Sequence, residues 1–313
     1  MNNDVIEKIN AGKYTEAKNI LNKLIKQYPE NSRIHYLMGF VNLKLLKFDD
    51  SLEYFKKSVN ILPNIENLFA YADLLTRKKN FFTAEHCYKK ILELDKNNEP
   101  SLINLAYIYL LLQKYDKSEK CYLKALELNN NCHYYKNLGN LYKRQNRLDD
   151  AIKYYKLGLE QDPENHDIKK GIGLVMLSQK KYENAWKYFE SRIFVRQNQG
   201  PIFTLIKNNL FKKSKINEAK NLAVVSEQGI GDKILYSSLY KDLINLNINI
   251  KFIVDPRLEA IFKRSFGKYE YVWNDNFNRI KELIEDDYQF IYAGNLGKYF
   301  RRDIRDFDGK PFL

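Results

Sequence analysis

Cysteine, proline and glycine are all scarce. Three cysteines in 313 residues, Cys87, Cys121 and Cys132, are too few and too odd in number for a disulfide framework, and they predict a reducing, cytoplasmic setting. Seven prolines and 13 glycines leave few chain breaks, which argues for helices packed on helices. Long apolar runs are missing too. The longest, Leu105–Leu112, is far short of the ~20 residues that span a bilayer, so no membrane span is expected. The opening Met1-Asn-Asn-Asp-Val-Ile-Glu7 has neither a basic start nor an apolar core, so no signal peptide is expected. His35, His86, His133 and His166 show no metal-ligand spacing, and neither a metal nor a cofactor is expected.

What is abundant is charge and aromatic surface. The chain carries 52 basic and 39 acidic residues, a net +13, with 24 Tyr and 18 Phe. From Phe194 onward there are 20 basic and 15 acidic residues, so +5 of the excess lies there and +8 before it. A dispersed excess is a solvated surface rather than a nucleic-acid footprint, which needs clustering.

A period organises the first two thirds. A small residue follows a short polar-aromatic lead at Ala17, Ser51, Ala84, Ser118, Ala151 and Ala185, spaced by 34, 33, 34, 33 and 34. Four residues later comes a bulky side chain: Leu21, Phe55, Tyr88, Tyr122, Tyr155 and Phe189. Between these lies a second helical stretch with its own small position, Gly39, Ala72, Ala106, Gly139 and Gly173. Two antiparallel helices cross closely only where a small residue sits at the contact, with large neighbours filling the space around it. One pair cannot bury its apolar face alone, so pairs must stack. The pattern resembles the tetratricopeptide repeat, five full copies and a partial one over residues 1–193, and that resemblance implies an all-α superhelix. Cys87 and Cys121 hold one position of successive repeats, about a helix spacing apart, beyond disulfide reach.

In that family the first helices line a concave, peptide-binding face. Asn104 and Asn137 stand two residues before the small position, Asn140 lies one turn on, and Lys143 and Arg144 follow. Side-chain amides donate and accept, so a row of them can hold an extended peptide backbone of any sequence. The arrangement is similar to the asparagine ladder of protein O-linked N-acetylglucosamine transferases, though Leu37 and Ala70 interrupt it here. Tyr36, Phe40, Phe69 and Tyr107 are expected on the same side. The same asparagines also read as tolerated polar residues on an open face.

Residues 194–219 lose the period and read as a linker. From 220 the grammar is strand and helix in alternation: strands at Leu222–Val225, Ile250–Val254, Tyr269–Trp273 and Tyr288–Tyr292, with helices at Lys233–Leu246, Pro256–Phe266 and Asn278–Glu285. That alternation predicts a parallel, Rossmann-like sheet. After the first strand comes Ser226-Glu-Gln-Gly-Ile-Gly-Asp232. Gly229 and Gly231 are expected to make a sharp turn, and Asp232 to sit at the helix start, where an acid is also an ordinary N-cap.

Residues 183–313, with Ala185-Trp-Lys-Tyr-Phe-Glu-Ser-Arg192 and Glu227-Gln-Gly-Ile-Gly-Asp232, resemble a bacterial arrangement in which repeats precede a lobe like that of the heptosyltransferases, glycosyltransferase family 9 of the GT-B fold. The resemblance implies an acceptor-binding lobe with Asp232 as base and Glu227, Gln228, Gly229 and Gly231 as its binding turn. Such enzymes need a second lobe for the nucleotide-sugar, and the 94 residues from 220 make one incomplete lobe. Two functions are therefore expected in competition. One is a repeat domain docking a protein, peptide or glycan acceptor for a glycosyltransferase; the other is a non-catalytic interaction scaffold.

Overall fold

The computed structural model describes residues 3–195 and 201–307. The chain divides into two compact units, residues 1–145 and 146–313.

The first unit is helical: α1 (Asn3–Asn10), α2 (Tyr14–Gln27), α3 (Ser32–Lys44), α4 (Phe48–Ile61), α5 (Ile65–Arg77), α6 (Phe81–Leu94), α7 (Glu99–Leu111), α8 (Tyr115–Leu128) and α9 (Cys132–Arg144). Each helix packs on the next. The small positions behave as the period requires, with Gly39, Ala72, Ala106 and Gly139 all buried. A β-carbon on Gly39 would lie 2.6 Å from the Phe55 ring, closer than real contacts allow. Where serine replaces alanine, its hydroxyl is absorbed by the crossing helix: Ser51 donates to the Gly39 carbonyl and Ser118 to that of Ala106, both at 2.8 Å. Asn42 stands where other repeats have a bulky residue. It is fully buried and satisfied at both ends, accepting from Lys18 Nζ at 2.6 Å and donating to the Met38 carbonyl at 2.9 Å.

Two further periodic features set the turns. Asn31, Asn64, Asn98, Asn131 and Asn165 cap the first helix of successive pairs, each side chain accepting from a backbone N–H in the first turn. Between the helices of a pair the chain passes through a left-handed residue: Gly12, then Leu46, Lys79, Gln113, Asn146 and Lys180, with φ between 57° and 72°. The next N–H closes back onto the helix end, as from Lys47 to the Asn42 carbonyl at 2.9 Å. After Gly12, non-glycine residues hold this strained position because flanking helices that pack on each other leave the turn no alternative.

The second unit begins with α10 (Leu148–Gln161), α11 (His166–Ser178) and α12 (Tyr182–Phe189), followed by a 3₁₀ turn at Glu190–Phe194 and by α13 (Pro201–Asn208). Then come β1 (Asn221–Val225), α14 (Ile230–Ser237), α15 (Tyr240–Ile244), β2 (Asn249–Val254), α16 (Glu259–Phe266), β3 (Glu270–Trp273), α17 (Phe277–Glu285), β4 (Gln289–Tyr292) and α18 (Gly297–Phe300). The four strands form a parallel sheet in the order β3-β2-β1-β4. Leu222, Val224, Phe252 and Val254 bury one face with Tyr240 and Phe262; Ala223, Val225, Ile253 and Phe290 bury the other with Ile206, Ile280 and Leu283. The repeat period runs on to residue 193, but its last helices pack with the sheet-bearing part. The α12 side chain Trp186 donates from Nε1 to the Arg301 carbonyl at 2.6 Å and fills the space a β-carbon on Gly297 would need.

Three local expectations are corrected. The helix expected over Lys233–Leu246 is two helices, broken at Ser238–Leu239. It begins at Ile230 with Gly229 as N-cap, so Asp232 is the third helical residue, and no side-chain capping bond forms there. The sharp turn is made by neither glycine. Gln228 takes the left-handed conformation, with φ of 63°, and Gly229 has φ of −70°.

Candidate functional site

Strand order reverses between β1 and β4: β2 follows on one side of β1 and β4 lies on the other. Crossovers leave in opposite directions there, which opens a crevice at the carboxyl ends where open α/β sheets bind ligands. Here that crevice is filled by an ion pair. Arg192, from the 3₁₀ turn after α12, donates from Nη2 to Glu227 Oε1 at the end of β1. Arg192 Nη1 donates to Asn295 Oδ1 at 2.7 Å and to the Phe189 carbonyl at 3.1 Å. Glu227 Oε1 also accepts from Gly294 N–H at 3.0 Å. A β-carbon on Gly294 would lie 2.4 Å from Arg192 Nη2, so only glycine lets the end of β4 approach this pair. The guanidinium stacks between aromatic rings, 4.5 Å from the Phe189 centroid and 5.6 Å from that of Tyr236. Burial pushes the Glu227 carboxyl up, against the pull of Arg192 and the Gly294 N–H. Burial likewise holds the Tyr236 hydroxyl protonated, pushed up to about 12.

Beside the pair lies a cavity of about 500 Å³. Gln228, Gly229, Asp232 and Tyr236 line it from the sheet side, and Lys170 and Leu174 of α11 with Arg192 from the repeat side. The half-buried Asp232 carboxylate reaches 3.5 Å from where a Gly229 β-carbon would stand, and Gly231 faces open space. Of the five residues expected to form the binding turn and base, Gln228, Gly229 and Asp232 line this cavity. Glu227 is buried behind it and holds Arg192, and Gly231 is not part of its lining. Arg192, Lys170, Tyr236 and Gly294 escaped sequence reading. Arg192 does close the Glu-Ser-Arg string at the end of the last repeat, a signal for it that was legible but carried no chemistry until Glu227 was opposite.

In the first unit, Tyr36 lies 5.7 Å from the Phe55 ring with the Arg33 guanidinium 5.0 Å above it, and Phe69 meets the Tyr88 ring at 5.8 Å. Lys44 Nζ sits 5.3 Å over the half-buried Phe40. Tyr107 is 47% exposed. Asn104, Asn137, Asn140 and Lys143 are half-buried on α7 and α9. Among the described residues no helix is long and apolar enough to cross a membrane.

Models of the tetratricopeptide repeat family match residues 8–31, 99–164 and 136–194. The anaphase-promoting complex subunit CDC16 of Saccharomyces cerevisiae is 26% identical over 211 residues, 67% of this chain and 21% of that protein. Bovine BBSome complex member BBS4 is 28% identical over 140 residues, 44% of this chain and 27% of that protein. The UDP-N-acetylglucosamine--peptide N-acetylglucosaminyltransferase of Caenorhabditis elegans is 36% identical over 73 residues, 23% of this chain and 6% of the enzyme. The chain thus spans less than a third of the length of each. Among solved structures, a tetratricopeptide repeat protein from Parabacteroides merdae superposes with a TM-score of 0.60 at 15% identity, covering 90% of this chain and 95% of that one. The C-terminal part of a repeat protein from Cytophaga hutchinsonii gives 0.54 at 16% identity, over 66% and 84%. At those identities the likeness is one of fold. The helices over residues 8–31 and 99–194 match the tetratricopeptide repeat, and the helix pairs between them keep the same period.

Proposed function

We propose that the repeats hold a protein or peptide partner in extended form against the first helices of the pairs. One observation carries this reading. Tyr36 and Phe69, Asn104 and Asn137, and Tyr107 and Asn140 are three couples, each one 33-residue period apart, and all six side chains stay partly exposed on the first helices of their pairs. Amides so placed pair with a peptide backbone and the rings cover its side chains; Lys143 adds a charge that favours acidic segments. Peptides selected from a phage-displayed library of random linear sequences test it. Each lost amide contact weakens binding by ~0.5–1.5 kcal/mol, so an N104A/N137A/N140A variant should bind a selected peptide at least about tenfold less tightly. Unchanged affinity in that variant overturns the reading.

The cavity at Asp232 favours a second reading, in which the sheet-bearing part is the acceptor lobe of a GT-B glycosyltransferase of the heptosyltransferase kind. A carboxylate in the first turn of α14, lining a cavity of about 500 Å³, can take the proton from an acceptor hydroxyl. Arg192 and Tyr236 would orient that acceptor. The reading requires a nucleotide-sugar lobe in addition to residues 220–313. Absence of sugar transfer by protein carrying such a lobe counts against it and leaves peptide docking untouched.

A further inference from the structure

In the first unit the turns within helix pairs lie along one edge of the antiparallel stack. Ion pairs join neighbours on that edge, Lys78 with Asp49 and Lys114 Nζ with Glu85 at 3.5 Å. On two adjacent turns the repeats break their own rule. The left-handed residue is Lys79, Gln113, Asn146 or Lys180 in later pairs but Leu46 between α3 and α4. The second residue of the following helix is Asp49, Asp116, Asp149 or Glu183 in α4, α8, α10 and α12, but Phe82 in α6.

Neither exception serves the fold. An acid in the first turn is favoured by the helix dipole, and phenylalanine gives that up. Leucine is strained in a left-handed turn where glycine, as at Gly12, is not. Nor are the side chains covered. Phe82 is 87% and Leu46 74% exposed, the highest values for large apolar residues among the described residues. Phe48, at the start of α4, is 45% exposed and adds a third.

The charge left over around them is positive. Lys44, Lys47, Arg77, Lys78 and Lys79 belong to the same two turns. Asp73 pairs with Arg77, Asp49 with Lys78, and Asp50 with Lys18 at 3.7 Å, so the nearby acids are already matched. Lys44, Lys47 and Lys79 form no ion pair among the described residues.

Apolar tips on turns, flanked by lysines, suit a broad partner that is anionic at its surface and apolar beneath. A peptide needs a groove, and these side chains stand out from an edge. We infer that this edge of the repeats settles on an anionic lipid bilayer. Leu46, Phe48 and Phe82 enter its interfacial region, and Lys44, Lys47 and Lys79 meet the phosphate and carboxylate groups of the lipids. Each lysine held near such a surface strengthens binding about fivefold. Neither the peptide-docking side chains nor the Asp232 cavity takes part.

The test is flotation of the full chain with vesicles of phosphatidylcholine alone and of phosphatidylcholine with phosphatidylserine, beside sedimentation velocity without lipid. The chain should float with the phosphatidylserine vesicles, and added salt should release it. L46N/F82D should bind at least about tenfold less tightly, having lost its apolar insertion. It should melt no lower than the parent, since asparagine tolerates a left-handed turn and aspartate favours a helix start. K47E/K79E should also bind at least about tenfold less tightly. Three results overturn the proposal. The chain shows no preference for phosphatidylserine vesicles at low salt; or L46N/F82D floats as well as the parent, which leaves only diffuse attraction of a basic chain; or the parent is a dimer that L46N/F82D dissolves, which makes the patch a contact between copies.

Discussion

Arg192 and Glu227, 35 residues apart, form an ion pair with side-chain exposures of 1% and 3%. One comes from the turn that ends the last repeat and the other from the tip of the first strand, so the pair ties the repeat to the sheet within a single unit.

Removing one partner of such a pair strands the other as a buried charge, which costs about 3–5 kcal/mol. R192M should lose that much stability in urea unfolding followed by tryptophan fluorescence. R192M/E227M should recover a large part of it, since a buried pair replaced by apolar residues is often near neutral. A loss under about 1 kcal/mol in R192M would show that water reaches the crevice and solvates the stranded carboxylate.

Glycine is required by packing at one position and not at another. A β-carbon on Gly173 would stand 2.6 Å from the Phe189 backbone nitrogen, while one on Gly231 meets nothing within 4 Å. G173A should destabilise by ~1–3 kcal/mol through overpacking of α11 against α12. G231A should be neutral or stabilise by up to ~1 kcal/mol, because alanine is the better helix former. Equal melting temperatures for the two variants would contradict the helix crossing described here.

Asp255 carries a pH dependence. The Arg257 guanidinium and Lys233 ammonium hold its carboxyl well below the usual range. A carboxyl depressed in the folded state lends stability that is fully present above its unfolded value of about 3.9, begins to fall there, and is lost as the pH drops on through its lower folded value. Unfolding free energies measured from pH 7 down to pH 3 should therefore fall more steeply in the parent than in D255N. Parallel curves would show that the ion pairs of Asp255 add nothing.

Asp232→Asn separates catalysis from helix support. Asp232 makes no capping bond, so the change removes only its charge from the first turn of α14, worth ~0.3–1 kcal/mol. In protein that carries a nucleotide-sugar lobe, loss of a general base should lower sugar transfer at least ~10²-fold. Full transfer by D232N would assign the carboxylate to the helix dipole alone.

The repeats were legible in the sequence because their physics is local. A small residue at each crossing, a bulky one four positions on and a period of 33 or 34 need only neighbouring helices to make sense, and Gly39, Phe55, Tyr88 and Tyr155 are buried as that pattern demands. The alternation of strand and helix after residue 220 was legible for the same reason. The turn at Gln228 was not. Two glycines drew attention to positions 229 and 231, but the left-handed residue is the one before them, fixed by the path from β1 into α14. Nor could spacing reveal the crevice. Arg192, Glu227, Gly294 and Asn295 meet only because β4 pairs with β1 on the side away from β2. Composition and period determine helix pairs and a parallel sheet; which distant residues share a cavity was decided by strand order, because burial makes a lone charge costly enough that Arg192 must find Glu227 wherever the sheet puts it.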